Sequence, residues 1–306
     1  MNLFIQKIAL FLSPLLFIGL MVGLLDPFGM WRGQKNEQDP HDLIAYQLNA
    51  PLWKSVAFRE KPCSRILLGD SRMEALSDSQ MRAVTGERWF NFAFGGASMQ
   101  EMVQSFWFAN QHAKLEEVVL GINLGRYNGR QILDRCSEAH GLFGNPHLYL
   151  INRSVLKGSF YRFQEIIRGE PIRLARPTVD RETFWQHQLD YLARTLYQEY
   201  SYPETAYVQL SEIVSYCQKE NIRLRFVILP THVDLQEKLL EYGREKDLEQ
   251  MRDDLKKLGQ LHDFHRADSL TINPDLYKDP FHFKPSVGEK LIRRLFDLPP
   301  VNQNND

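Results

Sequence analysis

"RILLGDSRMEAL", residues 65–76, is the stretch on which the reading of the fold turns. The apolar run Ile66-Leu67-Leu68 is nearly continuous, as a strand buried on both faces is. It stops abruptly at Gly69-Asp70-Ser71-Arg72, and a helical pattern follows at once. A strand that ends in a polar turn and re-enters as a helix opens a βα unit. Within such a unit the turn has two readings. Ser71 is a nucleophile held at the carboxyl end of a strand, or Asp70 and Ser71 merely cap a helix.

Further β-like runs follow the same pattern: "RWFNFA" (88–93), "EEVVLGIN" (116–123) and "IRLRFVILP" (222–230). Helical candidates at 77–84, 98–114 and 205–219 stand between them. This alternation predicts an α/β domain: a parallel sheet between two helical layers. The pattern fails from Gly125 to about Tyr202, where "NRSVLKGSFYRFQEIIRGEPIRLARP" reads as an insertion of loops and short helices. Beyond the fourth run we expect one long charged helix over 234–260, a last helix over 287–296, and a disordered tail over 297–306.

The N-terminus carries a separate signal. From Ile8 to Leu25, "IALFLSPLLFIGLMVGLL" has no charge. A helix of that length just spans a bilayer core of about 30 Å. A cleaved signal peptide is the alternative, but its apolar core is typically only about 7–15 residues and ends in small residues. A retained anchor over 8–25 is the expected form, with residues 1–7 cytoplasmic and the bulk of the chain outside. Residues 26–62, with polar "RGQKNEQDPHD", read as a linker into a domain over 63–296.

Composition narrows the function. With 37 basic and 38 acidic side chains the net charge is −1, so nucleic acid is not an expected partner. Three cysteines, none in a CxxC pair, make no disulfide scaffold and no cysteine-built zinc centre; one bridge plus a free thiol stays open. His262 and His265, flanked by Asp263 and Asp268, lack a convincing third ligand, so no metal and no cofactor is expected.

In open α/β sheets, ligands bind beyond the carboxyl ends of the strands. Those positions hold Gly69-Asp70-Ser71-Arg72, then "NFAFGGAS" (91–98), then Gly121-Ile122-Asn123, then Pro230-Thr231-His232. "DPFH" (279–282) precedes the last helix. These are the parts for acyl transfer: Ser71 as nucleophile, His282 as base and Asp279 orienting the imidazole. Backbone N–H groups at Ser71 and Gly96, with the Asn123 amide, supply an oxyanion hole. His232 is a candidate substrate contact or rival base, with a plain surface-loop role as the alternative.

The set resembles the SGNH, or GDSL-like, hydrolase superfamily, whose four blocks run in this order. Ser71, Gly96, Asn123 and His282 match its name-giving positions, and Asp279 its third triad member. The resemblance covers roughly 63–124 and 205–296, leaving the insertion at about 125–204 outside it. Two residues depart from it: Arg72 after the serine, taken as a possible-substrate position, and Leu124 after the asparagine. The resemblance implies the SGNH hydrolase fold and a membrane-anchored, extracytoplasmic esterase or O-acyltransferase. Its expected substrate is an acyl-bearing glycan or polysaccharide of the cell envelope, with a membrane acyltransferase as a partner. The competing expectation is a non-catalytic accessory protein that binds a glycan or a partner enzyme.

Overall fold

Five short strands run parallel in the order β2-β1-β3-β4-β5. They are β1 (Arg65–Leu68), β2 (Phe90–Asn91), β3 (Glu117–Gly121), β4 (Arg223–Ile228) and β5 (Gln260–Asp263). In register, Ile66 pairs with Phe90 on one side and Val118 on the other, and Leu120 pairs with Phe226. The side chains of Ile66, Leu67, Val118, Val119, Leu120, Phe226 and Val227 are fully buried, which is why the sequence is apolar without alternation there, although β4 opens on the alternating Arg223-Leu224-Arg225. The order is that of the flavodoxin-like doubly wound sheet, so the chain reverses direction of travel between β1 and β3. A separate antiparallel hairpin joins β6 (Tyr277–Asp279) to β7 (His282–Phe283).

This computed structural model describes residues 2–33, 40–172 and 179–299. In chain order the helices are α1 (Asn2–Leu25), α2 (Pro40–Leu48), α3 (Ala50–Glu60), α4 (Ser71–Glu74), α5 (Asp78–Thr85) and α6 (Met99–His112). Then come α7 (Arg135–Gly144), α8 (Pro146–Ile151), α9 (Arg153–Arg168), α10 (Arg181–His187) and, through a π-turn at Gln188–Leu192, α11 (Ala193–Tyr197). The last four are α12 (Glu204–Glu220), α13 (Val233–Glu241), α14 (Glu245–Leu258) and α15 (Pro285–Leu295). Capping boxes start two of them, Ser77 with Gln80 on α5 and Ser98 with Glu101 on α6, so each start was written in the local sequence.

The chain folds as two units, Met1–Lys61 with Arg135–Arg176, and Pro62–Asp134 with Pro177–Asp306. The first is all helical among its described residues. Its core gathers Val22, Phe28 and Met30 with Leu52, Trp53, Val56, Leu142, Tyr149 and Val155. Asp26 ends α1: its carboxylate accepts the N–H groups of Met30, Trp31 and Arg32 and the Tyr149 hydroxyl. Within α1, Phe4–Leu25 has a mean hydropathy of 2.5 and is long and apolar enough to cross a membrane.

Three expectations need correction. The linker over 26–62 contains α2 and α3, because Ile44, Ala45, Leu52, Trp53, Val56 and Phe58 supply buried apolar side chains, with α3 buried on nearly every side. Part of the polar stretch that suggested a linker, residues 34–39, lies outside the described residues. The long helix over 234–260 is two helices and a strand. Gly243 takes φ +68° between α13 and α14, and β5 starts at Gln260, whose polar, half-buried neighbours hid an edge strand. Finally, the insertion over 125–204 is divided. Residues 135–172 belong to the first unit, while α10 and α11 belong to the second, where Tyr127 and Tyr202 both donate to Asp254. Of the tail expected to be disordered, residues 300–306 lie outside the described residues. Cys63, Cys136 and Cys217 are buried free thiols; burial raises the Cys63 thiol and pushes Cys217 up to about 12.

Candidate active site

The turn after β1 is tight because of what packs beneath it. A Cβ at Gly69 would lie 2.5 Å from the Met73 Cβ and 3.2 Å from the Gly121 carbonyl, so only glycine lets the chain turn here. Asp70 then caps α4, its Oδ1 accepting the Arg72 N–H at 3.1 Å. Ser71 is the first residue of that helix and is half-buried. The capping and the nucleophile readings of this turn are therefore compatible: Asp70 is the cap, and Ser71 is left facing elsewhere.

What Ser71 faces comes from the hairpin 211 residues later. The Asp279 carboxylate accepts the N–H groups of Phe281 and His282, at 2.9 and 3.1 Å, which folds the β6–β7 turn around it. The same carboxylate stands 2.8 and 2.9 Å from His282 Nδ1. An ionised carboxylate only accepts, so Nδ1 carries the proton and Nε2 is left as an acceptor. Ser71 Oγ lies 2.7 Å from that Nε2 and donates to it. Asp279 is buried, while His282 is partly open to solvent.

Gly96 and Asn123 lie in the loops that follow β2 and β3, the two strands that flank β1, so these loops leave the same carboxyl edge of the sheet as the Ser71 turn. Gly96 has φ +69°, which favours glycine. Asn123 is buried and donates one amide N–H to Asp70 Oδ2 at 2.9 Å, while its Oδ1 accepts the Arg126 N–H. A primary amide has a second N–H to give.

No family model and no curated protein matches the chain. Among solved structures, one similar chain is a Bacteroides fragilis NCTC 9343 protein provisionally described as an acylhydrolase. It is 11% identical with a TM-score of 0.35, over 76% of this chain and 85% of its own. Another, from Streptococcus pneumonia and provisionally described as a platelet activating factor, is 9% identical with a TM-score of 0.42. That match covers 84% of this chain and 94% of the other. Neither likeness says what this chain's residues do.

Arg72 is not placed to meet a substrate. It is buried, and its Nη2 donates to Asp70 Oδ2 at 3.1 Å, with the guanidinium 5.8 Å from the Phe281 ring centre. Burial works against the Asp70 charge, but Arg72 and then Arg126 outweigh it and hold the carboxyl below its usual range. His232 is not a surface-loop residue. It is 5% exposed, packed edge-on between Trp185 and Tyr277, and its ring Nδ1 accepts the Asp234 N–H at the start of α13. Its own N–H holds the Pro280 carbonyl, which braces the turn that carries His282.

Sequence reasoning missed Arg126. Its Nε is 3.7 Å from Asp70 Oδ2, and its Nη2 is 3.5 Å from where a Cβ would stand on Gly96. The turn Asn123–Arg126, closed by the Arg126 N–H on the Asn123 carbonyl, puts it there; an Arg three residues after the block asparagine was the available signal. Asp70 thus stands between two guanidinium groups beside the turn that carries Ser71. His262 and His265 do not form a site together: His265 pairs with Thr231, and Asp263 with Arg252.

Proposed function

We propose that this chain is a serine esterase or O-acyltransferase of the SGNH type, with Ser71 as nucleophile, His282 as base and Asp279 as its orienting carboxylate. The single observation that carries this is the continuous hydrogen-bond path from Asp279 through both ring nitrogens of His282 to Ser71 Oγ, with links of 2.8 and 2.7 Å. In acylation His282 Nε2 takes the Ser71 proton as Oγ attacks an ester carbonyl. The resulting oxyanion faces the N–H groups of Ser71 and Gly96 and the free N–H of Asn123, with the positive charge of Arg126 close by. The imidazolium returns its proton to the leaving alcohol. In the second half, His282 deprotonates water or a sugar hydroxyl, which takes the acyl group, and the imidazolium returns the proton to the departing Ser71 Oγ.

The acceptor and the location rest on the resemblance alone: an envelope glycan, met outside the cytoplasm by a domain tethered through α1. One packing observation supports a retained α1. Val22 on its last turn is buried in the core of the first unit, so cleavage beyond it would remove core surface. The test uses the full chain in detergent. Wild type should hydrolyse a short-chain aryl acetate and be labelled on Ser71 by a fluorophosphonate, and Ser71→Ala should lose both. Equal turnover by the two proteins, with no labelling of either, would sink the enzyme reading. A phosphatase fused at the C-terminus should be active; an inactive fusion removes the extracytoplasmic assignment.

A further inference from the structure

The solvent side of α9 is split lengthwise. At about 100° per residue, Ile166, Phe163, Ile167 and Phe160 fall on one side, interrupted by buried Ser159 and by Leu156, which packs on the core, and Arg153, Gln164, Lys157 and Arg168 fall beside them. Val155, Gly158, Ser159 and Glu165 are the buried residues of the helix. The apolar stripe is open: Phe160 is 53%, Phe163 40%, Ile166 68% and Ile167 69% exposed. Large apolar side chains gathered in this way, rather than scattered, mark an interaction surface.

Two observations say what covers it. The first is continuity with α1. At Gly158 the Pro27 ring, two residues past the end of α1, comes so close that a Cβ would meet it at 2.9 Å. Leu24 and Leu25 of α1 line one hollow together with Arg162 and Ile166. The exposed apolar surface of α1 therefore runs on to the α9 stripe. Exposed Trp31, edge-on to Tyr149, and exposed Ile151 at the end of α8 add to the apolar surface of this unit. The second is charge. α9 has four basic residues and one acidic one, and the acid, Glu165, is buried and paired with Arg162 at 3.4 Å. The exposed edge is left cationic.

We propose that α9 lies in the headgroup layer of the bilayer that α1 crosses, its apolar stripe against acyl chains and Arg153, Lys157 and Arg168 against anionic headgroups. This rests on the reading of α1 as a membrane span. The first unit is then held to the membrane at two places rather than by one flexible stalk.

The experiment places a polarity-sensitive fluorophore on single introduced thiols of the full chain in lipid vesicles; the native cysteines are buried. The positions are Ile166→Cys, Lys157→Cys and, on α1, Leu16→Cys. The vesicles are phosphatidylcholine, with or without phosphatidylglycerol, and carry spin-labelled lipid either near the headgroups or at the bilayer centre. The Ile166 probe should be blue-shifted and quenched by the shallow label, more strongly with phosphatidylglycerol. Replacing Arg153, Lys157 and Arg168 by Gln should remove that increment. The Lys157 probe should be quenched by aqueous iodide. Quenching at Leu16 by the deep label with none at Ile166 overturns the proposal and leaves the anchor standing. No quenching at Leu16 fails the anchor reading itself. A blue-shifted Ile166 probe that no lipid label reaches means that protein, such as a second copy of the chain, covers the stripe, and this also overturns the proposal.

Discussion

Arg72 Nη2 and Asp70 Oδ2 meet at 3.1 Å with both side chains almost fully buried, so the residues on either side of Ser71 form an ion pair beneath it. Removing Arg72 leaves the buried Asp70 carboxylate only the more distant Arg126, at 3.7 Å, and the Asn123 amide to offset its charge. Arg72→Met should therefore cost about 3–5 kcal/mol of unfolding free energy. Asp70→Asn combined with Arg72→Met should cost less than the sum of the single changes, because no stranded carboxylate remains. Denaturant titration of the four proteins measures the coupling; strict additivity would mean that the pair is energetically idle.

Asp279 fixes which nitrogen of His282 carries the proton. In Asp279→Asn the amide can donate to Nδ1 and turn the tautomer, so that Nε2 no longer accepts from Ser71. We expect kcat to fall by about 10³–10⁴ with KM little changed. Steady-state kinetics on an aryl ester, with circular dichroism to verify folding, tests this. A loss below tenfold would show that the carboxylate is dispensable.

The Arg126 guanidinium stands close to Gly96 and to Asp70. If that charge acts on the developing oxyanion, Arg126→Gln should lower kcat by about ten- to a hundredfold, a smaller loss than removing a direct donor. Arg126→Lys should recover part of it. Raised KM with unchanged kcat would instead assign Arg126 to ground-state binding.

How much of this could be read from residues alone differs by element, for physical reasons. β1 and β3 are legible because burial on both faces demands nearly unbroken apolar runs, and the second half of β4, Phe226-Val227-Ile228, shares that signature. β2 has only two residues, and β5 contains Gln260, His262 and Asp263, so neither carries that signature. α2 and α3 were obscured by the polar segment before them. At the site, Ser71 and His282 are 211 residues apart, yet both stand at chain reversals where an open sheet collects its functional groups. Arg72 and His232 also stand there, and both turn inward. Whether a side chain at a sheet edge points out or back depends on tertiary partners, here Asp70 for one and Trp185 with Tyr277 for the other. Arg126 is the converse case, reaching the site from a turn whose closure the sequence does not advertise.

His265 gives the fold a pH dependence. It is buried, its Nδ1 lies 3.2 Å from the Thr231 hydroxyl, and burial first, then Arg252 and Arg72, lowers its pKa to about 3. Unfolded, the imidazole titrates near its ordinary value of about 6.5. Between those two values the unfolded chain binds a proton that the folded chain does not, so stability rises with pH across the window. The contribution is complete above the unfolded pKa and is lost as pH falls toward the folded one. The slope approaches about 1.4 kcal/mol per pH unit for this one group. Carboxylates such as Asp70, whose folded pKa is also lowered, steepen acid unfolding in their own lower range, so the measurement must be a difference. Urea midpoints for wild type and His265→Asn, taken from pH 7 to pH 4.5, should converge as the pH falls, with wild type losing its advantage. Parallel curves would place a charged or water-exposed imidazole at this position and refute the buried neutral one.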